Sequence, residues 1–488
     1  MCGSHGGRGA HRTSGALGCQ GAPGGVAVSG AGRVHRLSAE DFDGLAIGRP
    51  GPAALEVLRH SQLSWRLLTL RAVAALGRER VPRLWRESGA ERGWALLGAV
   101  HRADRSALEQ VLLHPPLGVL LARCLRQLTG PAAESRLEGD LARLPEVAVA
   151  AALRAGLPLA LDLPVRGDLL ALPTWGVARL PAGTGSVRVQ GRTLTAPGFA
   201  AEVAPPEPDP GPTPGPSPTR TPGPGPGPAP GRASAAQADP PPGAPGWLPL
   251  RALALRPSDP LRHPAAPVLR VTLEDCDPDR HAHGAPGATR LTDHQLAVWE
   301  SSLSGAWDLL CTHFPDQAAV CSALCHCVVP LTPPPGRWVT SASREAFGCV
   351  GLSPTTDPVR LAEALVHEVS HVALGALGDL VDLYDPDYTG RHRVGWRPDP
   401  RPLGAVLQGT YAHVAVVGFR DHHRRIGPRA DAARSELRHR QLRDQVLEAL
   451  DLLDGCPGLT ALGRRFCDGM AAAVGVRPGQ ATPRYSNG

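Results

Sequence analysis

Thr356-Asp357-Pro358, followed by Leu361-Ala362-Glu363-Ala364-Leu365-Val366-His367-Glu368-Val369-Ser370-His371, decides how the C-terminal half of this chain is read. Asp357 can cap a helix, and Pro358 suits the first helical position, where its missing N–H has no intrahelical partner to lose. The apolar residues that follow predict a helix running from Pro358 to about Asp382. On that helix His367 and His371, four apart, share one face and lie close enough for one metal ion. Two histidines on an apolar helix are costly unless they are ligated or hydrogen-bonded. Glu368 can point into the same pocket, and zinc hydrolases use such a carboxylate as general base on metal-bound water. The competing reading is a pair of satisfied core histidines.

Two protein ligands are too few for a metal centre, so a third must come from elsewhere. A third histidine six residues after the second is absent, because position 377 is Leu377, and Gly375 falls one place late for the associated glycine. His413, in the apolar run Tyr411-Ala412-His413-Val414-Ala415-Val416-Val417, is the favoured ligand, with Glu436 on a later polar helix as the alternative. Asp379 and Asp382 are placed farther along the motif helix, facing away from a shared site. Trp396-Arg397-Pro398-Asp399-Pro400-Arg401-Pro402 reads as a rigid loop whose arginine forks suit carboxylates. Cys321, Cys325 and Cys327 do not have the two-residue knuckle spacing and read as a buried helix end or strand.

The chain has 488 residues and a net charge of +6, and its 51 basic residues are all arginine. No basic run is interleaved with aromatics, which argues against nucleic-acid binding. No apolar run reaches the ~20 residues of a membrane-spanning helix, and no secretory signal is visible. The eleven scattered cysteines then point to a reduced, cytoplasmic protein.

The expected fold class is α+β, with a helical N-terminal region, a Pro/Gly linker and a mixed α/β metal-binding domain that carries the motif on a helix. Residues 1–34 are expected to be disordered. Residues 35–202 form a mainly helical region with short strands such as Ser186–Gln190, and its first helix is capped by Ser38 with Asp41 three residues on. Residues 203–246 are a Pro/Gly tract, a linker or an insertion, and 247–488 are the catalytic domain. Within it, strands are predicted at Val268–Leu273 and Cys349–Ser353, and a helix from Thr292 to about His313. The acidic run Glu274-Asp275-Cys276-Asp277 follows the first of these strands.

Several of these stretches resemble the HExxH-motif proteins of ribosomal-peptide gene clusters. The similarity rests on Leu352-Ser353-Pro354, Leu361 to Glu368, Leu377-Gly378-Asp379-Leu380-Val381-Asp382-Leu383-Tyr384, the Trp396–Pro402 segment and Leu407-Gln408-Gly409-Thr410-Tyr411-Ala412-His413. The opening Leu37–Phe42 and the helix around Gln62-Leu63 fit as well; the Pro/Gly tract and first 34 residues lie outside it. That resemblance implies a 2-oxoglutarate-dependent peptide β-hydroxylase acting on a ribosomally synthesised precursor peptide with Fe(II) and oxygen, alongside partner proteins of a biosynthetic cluster. It implies that His367 and His371 hold iron with His413 as third ligand, that Arg401 or Arg397 anchors the distal carboxylate of 2-oxoglutarate, and that Glu368 orients ligands or faces substrate. From spacing alone, helix-borne histidines point instead to a zinc-dependent peptidase with Glu368 as base. A non-enzymatic peptide-binding partner is a further alternative. The N-terminal region is expected either to complete the fold or to bind the precursor's leader segment.

Overall fold

The structure is a computed structural model that describes residues 25–30, 33–131, 134–204, 239–241, 243–427 and 432–476. It is mixed α and β and divides into two compact units, each discontinuous in sequence. The first unit comprises residues up to Pro82, Leu112–Leu137 and Arg251 onward; the second comprises Arg83–Val111 and Glu138–Leu250. Residues 35–202 therefore contribute to both units rather than forming a region of their own. Within the tract expected as a linker, residues 205–238 and 242 lie outside the described residues, as do residues 1–24, 31 and 32 of the expected disordered start. Gly25–Gly30 and Arg33–Ser38 pair as an antiparallel hairpin, so regular structure begins ahead of Leu37.

The first unit is built on a five-stranded sheet in the order Arg251–Leu255, Leu269–Leu273, Cys327–Pro330, Cys349–Leu352, Thr340–Ala342. Its three central strands run parallel and its two edge strands antiparallel to their neighbours. Cys327–Pro330 and Cys349–Leu352 are buried at every position, as parallel strands covered on both faces require. Alternation divides their side chains. Val328, Val350 and Leu352 join the main core, while Cys327, Val329 and Cys349 join a smaller cluster on the opposite face. The main core also takes in Phe42, Leu45 and Leu58 together with Leu365 and Val369 of the motif helix. The N-terminal helices of this unit thus complete the core on which the motif helix rests.

The motif helix spans Pro358–Leu377, and the Asp357 side chain accepts hydrogen bonds from the Val359 and Arg360 amides. It stops short of the expected Asp382. Gly378 follows as C-cap, and Asp379 is drawn out of the helical path by Gln62 Nε2 at 2.8 Å and by the Arg344 guanidinium. Asp379 and Asp382 lie beyond the helix, not along it. Trp396–Pro402 is likewise not a loop: Arg397–Pro402 is a strand paired with Arg391–Val394. Alternate prolines are tolerated in such a two-stranded ribbon because one of its edges needs no donor. The chain then enters the helix Leu403–Ile426, which packs along the motif helix. The helix Asp293–His313 packs on the motif helix too, and begins with a Thr292–Gln295 capping box.

The second unit holds the helices Ala90–Ala103 and Leu144–Arg154, packed on one another, and two antiparallel sheets. One has four strands, Ala160–Pro164, Ser186–Gln190, Thr193–Ala196 and Phe199–Glu202; the other has three, Leu169–Leu172, Gly176–Arg179 and Gly246–Pro249. Among the described residues no helix is long and apolar enough to cross a membrane.

The C-terminal helix Ala461–Ala473 closes the first unit. Thr460 donates from its amide to the Leu383 carbonyl and from its hydroxyl to the Asp382 carbonyl. A Cβ at Gly463 would sit 1.8 Å from that Leu383 oxygen. Gly463→Ala is therefore expected to destabilise the protein by about 1–3 kcal/mol, measured by urea unfolding, while Gly139→Ala, inside the helix Glu134–Leu141 with open space around it, is expected to raise the midpoint slightly.

Candidate metal centre

Helical spacing places the His367 and His371 rings side by side, with centroids 4.8 Å apart and planes at 84°. Their Nε2 atoms are 3.2 Å apart. Both residues are half-buried. The proton positions follow from the other ring nitrogens. His371 Nδ1 faces the Gln408 side-chain oxygen at 3.1 Å; a carbonyl only accepts, so Nδ1 carries the hydrogen and Nε2 presents a lone pair. Burial lowers the His371 pKa, with Gln408 opposing. The His367 pKa is held well below its ordinary value by burial first and then by His371, His413 and Arg420. Both imidazoles are neutral at neutral pH, the state in which histidine ligates metals.

His413, on the helix packed against the motif, comes to 5.0 Å from His367 between ring centroids. Its Nδ1 donates to the Gly409 carbonyl at 2.7 Å, and its ring stacks on Trp396 at 4.4 Å. Burial takes its pKa down to about 4. The three histidines are neighbours, but their ligand atoms do not all converge within 4.8 Å of one another; among the described residues His114, Glu274 and Asp277 do. That buried trio is a group able to hold a metal ion, which the sequence signalled only through the acidic run after a strand. Glu436 is elsewhere, paired with Arg424 at 2.9 Å and Arg440 at 2.6 Å.

Glu368 is fully buried and turns toward the edge strand Thr340–Ala342. Neither of its oxygens meets a partner at good hydrogen-bond geometry. Burial pushes its pKa up to about 7, against the opposing pull of the Thr340 side chain and the Ala342 backbone. Arg401 is tied to Asp399 at 3.0 Å, with Arg397 3.9 Å from the same carboxylate. Their hairpin reaches the histidines through Trp396.

Two further side chains border the site. Arg420 binds Glu363 through two contacts of 2.8 Å. Glu363 is one turn before His367 and Arg420 two turns after His413, so this ion pair caps one end of the histidine row. The i, i+4 and i, i+7 spacings were legible in the sequence, but the pairing needs the helix packing. A cavity of about 400 Å³ lies along another face of the motif helix, lined by Val366, Val369, Ala373, Tyr411 and Val414 and by none of the three histidines.

Glu368 makes stability pH-dependent. Its folded pKa is raised above the unfolded value, so the folded state binds the proton more tightly. Its contribution is fully present below about pH 4.5 and is lost as pH rises through about 7. Glu368→Gln, neutral and of the same shape, should gain stability over the wild type at pH 8 and match it at pH 5, read by urea unfolding of metal-free protein.

Searches against protein-family models and against curated proteins returned no match to this chain.

Proposed function

We propose that this chain is a metal-dependent enzyme that modifies a peptide, with Fe(II)- and 2-oxoglutarate-dependent β-hydroxylation of a ribosomally synthesised precursor peptide as its reaction. The observation that carries a metal role is the 3.2 Å between the His367 and His371 Nε2 atoms. Two imidazoles bonded at about 2.1 Å to one ion and separated by that distance subtend about 100°, between the tetrahedral and octahedral values. The Gln408 contact is the outer-shell support that metal-bound histidines use to fix tautomer and orientation.

The donor pair fits a first-row divalent ion. Iron(II) with 2-oxoglutarate supplies the oxidising chemistry that places one oxygen atom of O₂ in a C–H bond while 2-oxoglutarate is oxidised. The chain's own residues position the reactants. His367 and His371 would supply two ligands to the ion, and the neutral His413, beside His367 and stacked on Trp396, is the candidate for the third. Arg401 and Arg397 are the cations whose forks suit the cosubstrate's distal carboxylate. A peptide substrate is supported by the edge strand Thr340–Ala342, which borders Glu368 and, among the described residues, has no further strand beyond it. An extended peptide can add to such an edge by main-chain hydrogen bonds.

A second reading, a zinc-dependent peptidase, is supported by the place of Glu368 next to His367 in the chain, with burial raising its carboxyl pKa to about 7, in the range of a general base. The readings separate in one assay. Protein reconstituted anaerobically with Fe(II) is given oxygen, 2-oxoglutarate and candidate precursor peptides, and the products are read by mass spectrometry. A gain of one oxygen atom that requires 2-oxoglutarate supports the hydroxylase; cleavage with zinc and no oxygen demand supports the peptidase. His367→Ala or His371→Ala should abolish both metal content at this site and turnover. Gln408→Ala should weaken metal affinity by about 10–100-fold with the fold intact. Glu368→Gln should abolish peptidase turnover but leave a hydroxylase measurable.

A further inference from the structure

His114, Glu274 and Asp277 converge inside the first unit, away from the motif helix in sequence and with 6%, 1% and 3% of their surfaces exposed. His114 precedes the helix Pro115–Thr129 as its N-cap residue. Glu274 and Asp277 follow the sheet strand Leu269–Leu273. Each carboxylate spends one oxygen on the backbone. Glu274 Oε1 accepts from the Asp277 amide at 2.8 Å and the Cys276 amide at 3.3 Å; Asp277 Oδ1 accepts from the Asp279 amide at 2.7 Å. The other two oxygens turn to one ring nitrogen: His114 Nε2 lies 3.5 Å from Glu274 Oε2 and 3.8 Å from Asp277 Oδ2.

These separations are longer than a well-formed hydrogen bond. They suit three donors around one ion: ligands at about 2.0–2.2 Å in tetrahedral or octahedral arrangement stand roughly 3.0–3.6 Å apart. The three ligand atoms all lie within 4.8 Å of one another. Cations border the group: Arg123 binds Asp279 at 2.6 Å, and Arg251 and Arg290 bind Asp275 at 3.0 and 2.8 Å. Backbone amides orienting the ligating carboxylates are the outer-shell arrangement that built metal sites show.

We propose that His114, Glu274 and Asp277 form a second metal site, independent of His367 and His371, that takes a first-row divalent ion such as zinc and staples the start of the Pro115–Thr129 helix to the end of the central sheet. One imidazole among two carboxylates selects that class over magnesium or calcium, which take all-oxygen sets. The near-complete burial of all three ligands assigns the ion a structural role.

The test uses the full chain, stripped of metal and dialysed against zinc chloride in the presence of a weak competing chelator, with bound zinc counted by mass spectrometry. His367→Ala/His371→Ala should retain one tight equivalent. Adding Glu274→Gln and Asp277→Asn, both isosteric, should remove it. Zinc should also raise the melting temperature of the double variant by roughly 5 °C and leave the quadruple variant unmoved. A double variant without tight zinc and without a thermal shift overturns the proposal; so does a quadruple variant that keeps both.

Discussion

Two ring nitrogens held 3.2 Å apart on one helix face are the constraint around which the site is arranged. Without a cation, neighbouring lone pairs in a poorly solvated setting repel unless one ring turns its proton to the other. With one, the same geometry becomes a pair of bonds. Gln408 determines which His371 nitrogen is free, the Gly409 carbonyl does so for His413, and burial keeps the rings uncharged. Both of these hydrogen bonds come from the helix Leu403–Ile426, so the packing of two helices, more than any single side chain, sets the ring orientations.

The sheet contributes from the other side. Its edge strand meets the motif helix at Glu368, whose buried carboxyl is kept from ionising easily by the same desolvation that keeps the histidines neutral. Burial moves the carboxyl pKa up and the imidazole pKa values down, a combination also common at functional sites. It is also a cost to the fold, offset by the surrounding apolar core that takes in the N-terminal helices.

What could be read from the sequence divides along physical lines. Local signals held: the Asp357-Pro358 start, the Ser38 cap on Asp41 and the Thr292 cap all formed, because capping depends on residues within three positions. The helix end did not follow from local pattern, since Asp379 is claimed by Gln62 and Arg344 from distant segments. The proline-rich segment before Leu403 became a strand because its partner, Arg391–Val394, supplies the pairing that composition does not advertise. His367 and His371 were legible because four-residue spacing on a helix is geometry. His413 was legible as a buried histidine but not as a donor at a given distance. Of His114, Glu274 and Asp277 only the acidic run after a strand was legible: 160 positions separate the histidine from the first carboxylate, and only the tertiary fold joins them.

The central claim, that His367 and His371 bind one metal ion through their Nε2 atoms, is tested most directly by an anomalous-difference map at the metal's absorption edge from crystals of the metal-loaded protein. The account predicts a peak about 2.1 Å from both nitrogens. A map with no peak there, and the two rings hydrogen-bonded to each other instead, would contradict it.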